Sequence, residues 1–224
     1  PAQGEQQAPS EHPAAPAQGE QQAPSEHPAA ESPAAAQGER AAEPAGSEQP
    51  TAEEQDRPRL VVGLGASAGG LEALEAVLDA TPPNTGMAFV VVSHQYPHGE
   101  SLMPELLAKH PRMPVRTAED GMPLAPDHIY VVPPTGYLTL EDGTLKLSEA
   151  DTTARRHLPI DRFFRSLGEA EHRRAACVVL SGSGTDGTVG LKVVKAELGL
   201  AIAQDPDTAK YAGMPTSAIA TRQV

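Results

Sequence analysis

The pattern of hydrophobic and polar positions divides the chain into two parts that meet near residue 58. Residues 1–57 have no apolar face, because their apolar positions follow neither a helical nor an alternating spacing. From residue 58 onward, short continuous apolar runs alternate with segments whose apolar residues recur every three or four positions. Continuous runs are typical of strands buried on both faces, and the second spacing is typical of amphipathic helices.

The apolar runs and the helical spacings predict a series of alternating elements after residue 58. The runs predict strands at LVVGLG, MAFVVVSH, MPVRTAE, HIYVVPP, ACVVLSG and LAIAQD. The helical spacings predict helices at LEALEAVLDA, SLMPELLAKH, IDRFFRSLGEAEH and TVGLKVVKAELG, the last ended by Gly199. YLTLEDGTLKL predicts a hairpin that turns at Asp142-Gly143. We therefore expect a doubly wound, mostly parallel α/β sheet with helices on both faces and one β-hairpin.

The first 57 residues are repetitive and acidic. PAQGEQQAPSEHPAA occupies residues 1–15 and recurs unchanged at 16–30. The segment contains eleven acidic residues against Arg40 and Arg57, a net charge of −9 out of −13 for the whole chain. A Pro-, Gln-, Glu- and Ala-rich sequence with no apolar face cannot offset the entropy of ordering by packing. The sequence thus predicts a disordered tail over 1–57 and a folded domain over 58–224.

Composition excludes several classes of function. The part after residue 57 has a net charge of −4 and few aromatic residues, so it lacks the basic surface and stacking rings of a nucleic-acid binder. No apolar run approaches the roughly 20 residues of a membrane span, and no signal peptide is visible. One cysteine rules out an internal disulfide. We expect a cytoplasmic protein and, since the sequence does not begin with Met, a processed chain or a fragment.

The stretch RLVVGLGASAGGLEALEAVL supports two interpretations of one strand-to-helix turn. Gly63, Gly65 and Ala68 match the fingerprint G-x-G-x-x-G/A, which approaches the phosphates of a dinucleotide. Gly65, Ser67 and Gly69 match G-x-S-x-G, in which a tight turn presents a nucleophilic serine. The helix that follows would direct its free N–H groups toward an oxyanion.

Residues at the ends of two other strands favour the serine. A dinucleotide site needs a carboxylate at the end of the second strand, but FVVV ends in Ser93-His94. His94 is where a general base for Ser67 is wanted, and Asp186 in SGSGTDG follows a third buried strand. Because the carboxyl ends of parallel strands meet at one edge, Ser67, His94 and Asp186 form a candidate catalytic triad.

Six blocks of the sequence resemble the catalytic domain of the chemotaxis-receptor methylesterase family (CheB-type). They are GLGASAGGLEAL, VVVSHQYP, EDGMPLAPDHIYVVPP, LPIDRFF, VVLSGSGTDGTVGL and AQDPDTAKYAGMPTSAIAT, in the family's order from about residue 59 to the end. The resemblance implies a serine hydrolase that removes methyl esters from glutamates of chemoreceptor signalling helices, releases methanol and often deamidates receptor glutamines. It implies Ser67 as nucleophile, His94 as base, Asp186 as third member and the amides of His94 and Ser183 as oxyanion donors. No metal or organic cofactor is implied.

The resemblance also has departures. The stand-alone enzymes carry a receiver domain where this chain has its repeats, and the family pattern continues past Val224, so the domain is expected to be C-terminally incomplete. RRHLPIDRFFRSL resembles versions fused to methyltransferase and sensor modules, which makes such modules, fused or in trans, expected partners. The alternatives are a non-catalytic docking module of a signalling protein and a dinucleotide-binding domain.

Other residues receive simpler interpretations. Cys177 is expected in the core, and Asp161 and Arg162 are expected to begin a helix as cap and surface charge. Met214-Pro215 is a candidate wall of the site. Four arginines could meet an acidic receptor helix, although a solvated face is equally consistent with them: Arg112, Arg116, Arg155 and Arg156.

Overall fold

The computed structural model describes residues 57–93, 103–109, 112–133, 136–149 and 157–224. The strands are β1 (Leu60–Ala66), β2 (Met87–Ser93), β3 (Val115–Thr117), β4 (His128–Val131), β5 (Tyr137–Glu141), β6 (Thr144–Ser148), β7 (Ala175–Val179) and β8 (Leu200–Ala203). The helices are α1 (Gly70–Ala80), α2 (Met103–Leu107), α3 (Pro159–Glu171), α4 (Thr188–Ala196) and α5 (Gly213–Ala220). Within these ranges no helix has the length and apolar character needed to cross a bilayer.

Six strands form one parallel sheet in the order β3-β4-β2-β1-β7-β8. From β1 at the centre the chain adds β2, then the edge strand β3, then β4 between them, and returns to the other side of β1 for β7 and β8. Val62 is therefore paired with Phe89 on one side and with Ala176 on the other. The predicted doubly wound, mostly parallel sheet is confirmed.

Helices cover both faces of this sheet, and the alternation of side chains along β1 shows how. Val61 joins a core cluster with α3, α4 and the hairpin, whereas Val62 joins a second cluster with α1 and α2. Successive side chains of a strand point to opposite faces, so a continuous apolar strand supplies both cores. This is why the central strands carry apolar residues at nearly every position.

Helix α3 lies unusually close to β1, and the glycines of GLG allow it. A Cβ built on Gly65 would lie 2.5 Å from Cγ2 of Ile160, and one on Gly63 would lie 2.9 Å from Cε1 of Phe164. Both glycines are buried beneath the helix. Packing of α3 therefore accounts for Gly63 and Gly65 without a bound phosphate.

The separate hairpin β5–β6 forms as the sequence predicts. Glu141 pairs with Thr144, which leaves Asp142 and Gly143 as the two loop residues. Their φ values are 49° and 73°. Positive φ at both central positions is the requirement of a type I′ turn, for which Asp-Gly is a favoured sequence.

Two elements differ from the predictions. Helix α4 ends at Ala196, and the left-handed residue after it is Leu198 with φ 66°, not Gly199. Gly199 is needed for close packing instead, because a Cβ there would lie 2.7 Å from the carbonyl oxygen of Ala175. Helix α5 was not predicted, since GMPTSAIA has no amphipathic spacing and its Pro215 suggests a loop. That proline lies in the first turn, where a missing N–H costs no helical hydrogen bond.

Candidate active site

Ser67 lies immediately after β1, in a tight turn that leads into α1. The Gly70 N–H donates to the Ser67 carbonyl at 2.9 Å, and Gly69 adopts the left-handed conformation with φ 64°. Ser67 is partly exposed and Ala68 is exposed. The strand, turn and helix predicted around this serine are therefore present, and the serine faces the carboxyl edge of the sheet.

The strand order reverses between β1 and β7, so their carboxyl ends border a crevice of the kind in which doubly wound proteins bind ligands. The Ser67 N–H donates to the Ser181 carbonyl oxygen across this boundary at 3.0 Å. A Cβ on Gly182 would lie 2.9 Å from Cβ of Ser67 and would collide with the Met214 sulfur. Glycine at 182 thus lets the loop after β7 approach both the serine and the buried Met214.

Asp186 is buried at the end of the loop after β7, with 2% of its surface exposed. Its carboxylate accepts three backbone hydrogen bonds: Ile160 N–H at 3.2 Å, Asp161 N–H at 2.9 Å and Gly187 N–H at 2.9 Å. Two of these donors belong to the first turn of α3, whose own N-cap residue Leu158 makes no side-chain cap. Asp186 therefore caps α3 from a distant part of the chain, where the helix dipole also stabilises a negative charge.

Asp161, which lies in α3, caps helix α4 in return. This corrects the expectation that Asp161 caps its own helix. Its Oδ1 accepts the N–H groups of Val189 at 2.7 Å and Gly190 at 2.8 Å, in the first turn of α4. Helix α4 begins after Gly187, which has no side chain with which to cap it. The two aspartates thus cap each other's neighbouring helices, in agreement with the absence of a capping side chain at the N-cap positions Leu158 and Gly187.

The loop that carries Asp186 also carries the predicted oxyanion donor Ser183. Ser183 is exposed, and in the described part of the chain no acceptor is recorded for its amide. The preceding carbonyl, of Gly182, accepts from Met214 N–H at 2.9 Å, and the following Gly184 has φ 83°. Met214 is completely buried and belongs to the core cluster beneath this loop.

Of the remaining predicted residues, some lie outside the described ranges and the others are exposed. His94, Arg155 and Arg156 lie outside the described residues. Arg162 is exposed, with its guanidinium 4.6 Å from the centroid of the Tyr137 ring. Arg112 and Arg116 are exposed as well.

Cys177 is a core residue, as predicted. It lies in β7 with none of its surface exposed, and burial raises the pKa of its thiol to about 12. A thiol that stays protonated at neutral pH is a poor nucleophile. The described residues contain no group of three or more His, Cys, Asp or Glu side chains that could hold a metal ion.

A cavity of about 200 Å³ lies at the other end of β1 and is lined in part by Arg57, Val61 and Glu171. These residues adjoin the amino ends of β1 and β7, whereas Ser67 and Asp186 follow their carboxyl ends. Because ligands of doubly wound sheets bind at the carboxyl ends, this cavity is not the candidate active site.

Comparison with known proteins connects this geometry with a family. A family model described as CheB methylesterase matches residues 62–224. The chain is similar to the crystal structure of the CheB methylesterase catalytic domain of Thermotoga maritima, with a TM-score of 0.68 and 28% identity over 74% of this chain and 89% of that one.

Two sequence relatives differ greatly in length from the matched region. A 104.1 kDa protein of Rhodobacter capsulatus is 50% identical over 119 residues, which are 53% of this chain and 12% of that protein. A protein-glutamate methylesterase/protein-glutamine glutaminase of Anaeromyxobacter dehalogenans is 35% identical over 159 residues, which are 71% of this chain and 47% of that protein. The match thus spans about half or less of these two relatives. With its family match over most of its length and this shared fold, the chain belongs to the CheB methylesterase family.

Proposed function

We propose that residues 58–224 form a serine hydrolase domain that removes methyl esters from glutamate side chains of chemoreceptors and releases methanol. Deamidation of receptor glutamines would be a second reaction of the same site. The observation that carries the proposal is the 3.0 Å hydrogen bond from Ser67 N–H to Ser181 O. It joins the serine turn to the loop that bears Ser183 and Asp186, as a shared active site requires.

We assign the catalytic roles to Ser67 as nucleophile, His94 as general base and Asp186 as the carboxylate that orients His94. His94 takes the Ser67 proton while the Ser67 oxygen attacks the ester carbonyl carbon. The amides of His94 and Ser183 stabilise the resulting oxyanion. Collapse of this intermediate breaks the bond to methoxide, which leaves as methanol with the proton from His94. Water, activated by His94, then hydrolyses the acyl-enzyme and regenerates Ser67.

The geometry of Asp186 supports its assigned role. A carboxylate that orients a histidine must keep one position and remain charged while buried. Three backbone N–H groups fix the Asp186 carboxylate, and the N-terminus of α3 favours its charge.

The partners in this proposal are the methylated signalling helices of chemoreceptors, in the cytoplasm, with methyltransferase or sensor modules as further partners.

The test is methanol release from methylated chemoreceptor preparations by the wild-type chain and by Ser67→Ala. Ser166→Ala is the matched control, because it removes a serine hydroxyl that donates to the Phe163 carbonyl and accepts the Leu140 N–H, between α3 and the hairpin and away from the turn. We expect release to vanish only in Ser67→Ala, with circular dichroism showing that all three proteins are folded. A folded Ser67→Ala protein that still releases methanol at the wild-type rate would refute the proposal.

A further inference from the structure

Ser181, which the catalytic mechanism does not use, is completely buried between three loops at the carboxyl edge of the sheet. Its hydroxyl donates to the Ala68 carbonyl at 2.9 Å and accepts from the Tyr211 N–H at 3.0 Å. Its backbone carbonyl accepts the Ser67 N–H at 3.0 Å. One residue thus links the turn after β1, the loop after β7 and the loop after β8.

The two bonds to the turn lie on either side of the nucleophile. One acts on the peptide group that enters Ser67, through its N–H, and the other acts on the peptide group that leaves Ala68, through its carbonyl. The turn contributes one internal bond of its own, from Gly70 N–H to Ser67 O, and its small side chains add little packing. The position of the Ser67 backbone therefore depends largely on Ser181.

Gln204 fixes Ser181 in turn. Its Oε1 accepts the Ser181 N–H at 2.8 Å, and its Nε2 donates to the Thr208 carbonyl and hydroxyl at 3.2 Å each. The Gln204 N–H donates to the carbonyl of Val179 at 2.9 Å. The chain of hydrogen bonds thus runs from the edge strand β8 through Ser181 to the serine turn.

We propose that Ser181 and Gln204 are positioning residues that set the orientation of the Ser67 hydroxyl for attack. This inference rests on the proposed function, because it assigns both residues to the same hydrolytic site. The Ser181 side chain is completely buried, and both side chains hydrogen-bond to the protein backbone. They act through the backbone of the turn, and the effect of their loss is a misplaced nucleophile. A misplacement of about 1 Å can cost on the order of 100-fold in rate.

The experiment compares the wild-type chain with Ser181→Ala and with Ser166→Ala. Ser166 is the matched control, because its hydroxyl also donates to a backbone carbonyl, that of Phe163, and accepts a backbone N–H, that of Leu140, but between α3 and the hairpin and away from both active-site loops. Four quantities are measured: kcat and KM for methanol release, the rate at which a small fluorophosphonate labels Ser67, and the free energy of unfolding in urea. The labelling probe is small, so its rate reports on the serine rather than on receptor docking.

For Ser181→Ala we expect kcat and the labelling rate to fall together by about 10- to 100-fold while KM stays nearly constant. Ser166→Ala should retain the wild-type kcat, KM and labelling rate. Reduced stability with an unchanged labelling rate per folded molecule would show a merely structural role and overturn the inference. A wild-type chain that neither labels nor releases methanol would overturn the proposed function, and this inference with it.

Gln204 supplies the second pair of variants if Ser181→Ala does not fold. Gln204→Met keeps the length of the side chain but removes the acceptor for Ser181 N–H, whereas Gln204→Glu keeps that acceptor and loses the donor to Thr208. We expect the labelling rate to fall in Gln204→Met and to recover in Gln204→Glu. Equal labelling rates in these two variants and the wild type would overturn the inference.

Discussion

The turns that follow β1 and β7 leave adjacent strands at the same edge of the sheet, yet different forces fix them. The turn after β1 is short and exposed, and its position depends on backbone hydrogen bonds to Ser181. The loop after β7 is longer and ends in the buried Asp186, which is fixed by its own carboxylate against α3. A nucleophile must be reachable by substrate, whereas an orienting carboxylate must be shielded from water, and the two turns meet these opposite requirements.

The comparison shows where substitutions should do harm. Around Ser67, the constraint comes from hydrogen bonds to Ser181 and from backbone positions that require glycine, as at Gly69, rather than from a buried side chain. Around Asp186, the side chain itself carries the constraint and is embedded in the core beneath α3. Equivalent substitutions in the two turns should therefore lower activity and the free energy of unfolding by different amounts.

Among the substitutions that test this comparison, Asp186→Asn is expected to have the largest effect. An amide in this position presents an NH₂ group toward one of the three N–H donors and cannot stabilise a protonated His94. We expect kcat to fall by about 10⁴-fold and the domain to stay folded with unfolding free energy reduced by about 1–3 kcal/mol. Methanol release and urea unfolding measure the two quantities. Full activity in Asp186→Asn would show that the triad assignment is wrong.

The two N-cap glycines provide the sharpest form of the comparison. Gly69 and Gly187 both have positive φ, so alanine at either costs about 1–2 kcal/mol in backbone strain. A Cβ on Gly69 would lie 2.8 Å from Cβ of the exposed Lys210, in the loop after β8, whereas one on Gly187 would lie 2.9 Å from Cγ2 of Ile160 in the core. We expect the free energy of unfolding in urea to fall by about 1–3 kcal/mol more in Gly187→Ala than in Gly69→Ala. Equal losses would mean that the core tolerates the methyl group.

Asp161→Ala tests the reciprocal capping and should have a smaller effect. The substitution removes the acceptor for two N–H groups at the start of α4, which should lower the unfolding free energy by about 1 kcal/mol. Asp161→Asn keeps an oxygen acceptor and should retain most of that stability. Thermal and urea unfolding of both variants provide the measurement, and equal stability of the alanine and asparagine variants would contradict the cap.

The smallest expected effect is that of Lys210→Gln, which breaks the exposed ion pair to Glu72 at 3.1 Å. The pKa of Glu72 lies below its ordinary value, first because of a backbone hydrogen bond and second because of Lys210. A lowered carboxyl pKa stabilises the fold above the ordinary pKa, and this contribution is lost as the pH falls through the lowered value. We expect the Glu72 pKa, followed by NMR, to rise only part of the way toward its ordinary value. Thermal stability at neutral pH should hardly change.

The sequence by itself determined the architecture and the position of the serine turn. Continuous apolar runs such as FVVV, the helical spacing of LEALEAVL and the Asp142-Gly143 turn are local signals. Because strand and helix periods act over a few residues, these elements could be read without any knowledge of tertiary contacts. The turn at Ser67 was predictable for the same reason.

Only the tertiary structure decided which residues fix the site. Ser181 and Ala68 are 113 positions apart, and Asp186 and Asp161 are 25 apart. No local pattern relates such residues, so Asp161 was expected at its own helix and Ser181 was not singled out. Gly63 and Gly65 fitted a phosphate motif until the packing of α3 explained them. Periodicity specifies which face of an element is buried, but hydrogen-bond partners are specified by which loops the finished sheet brings together.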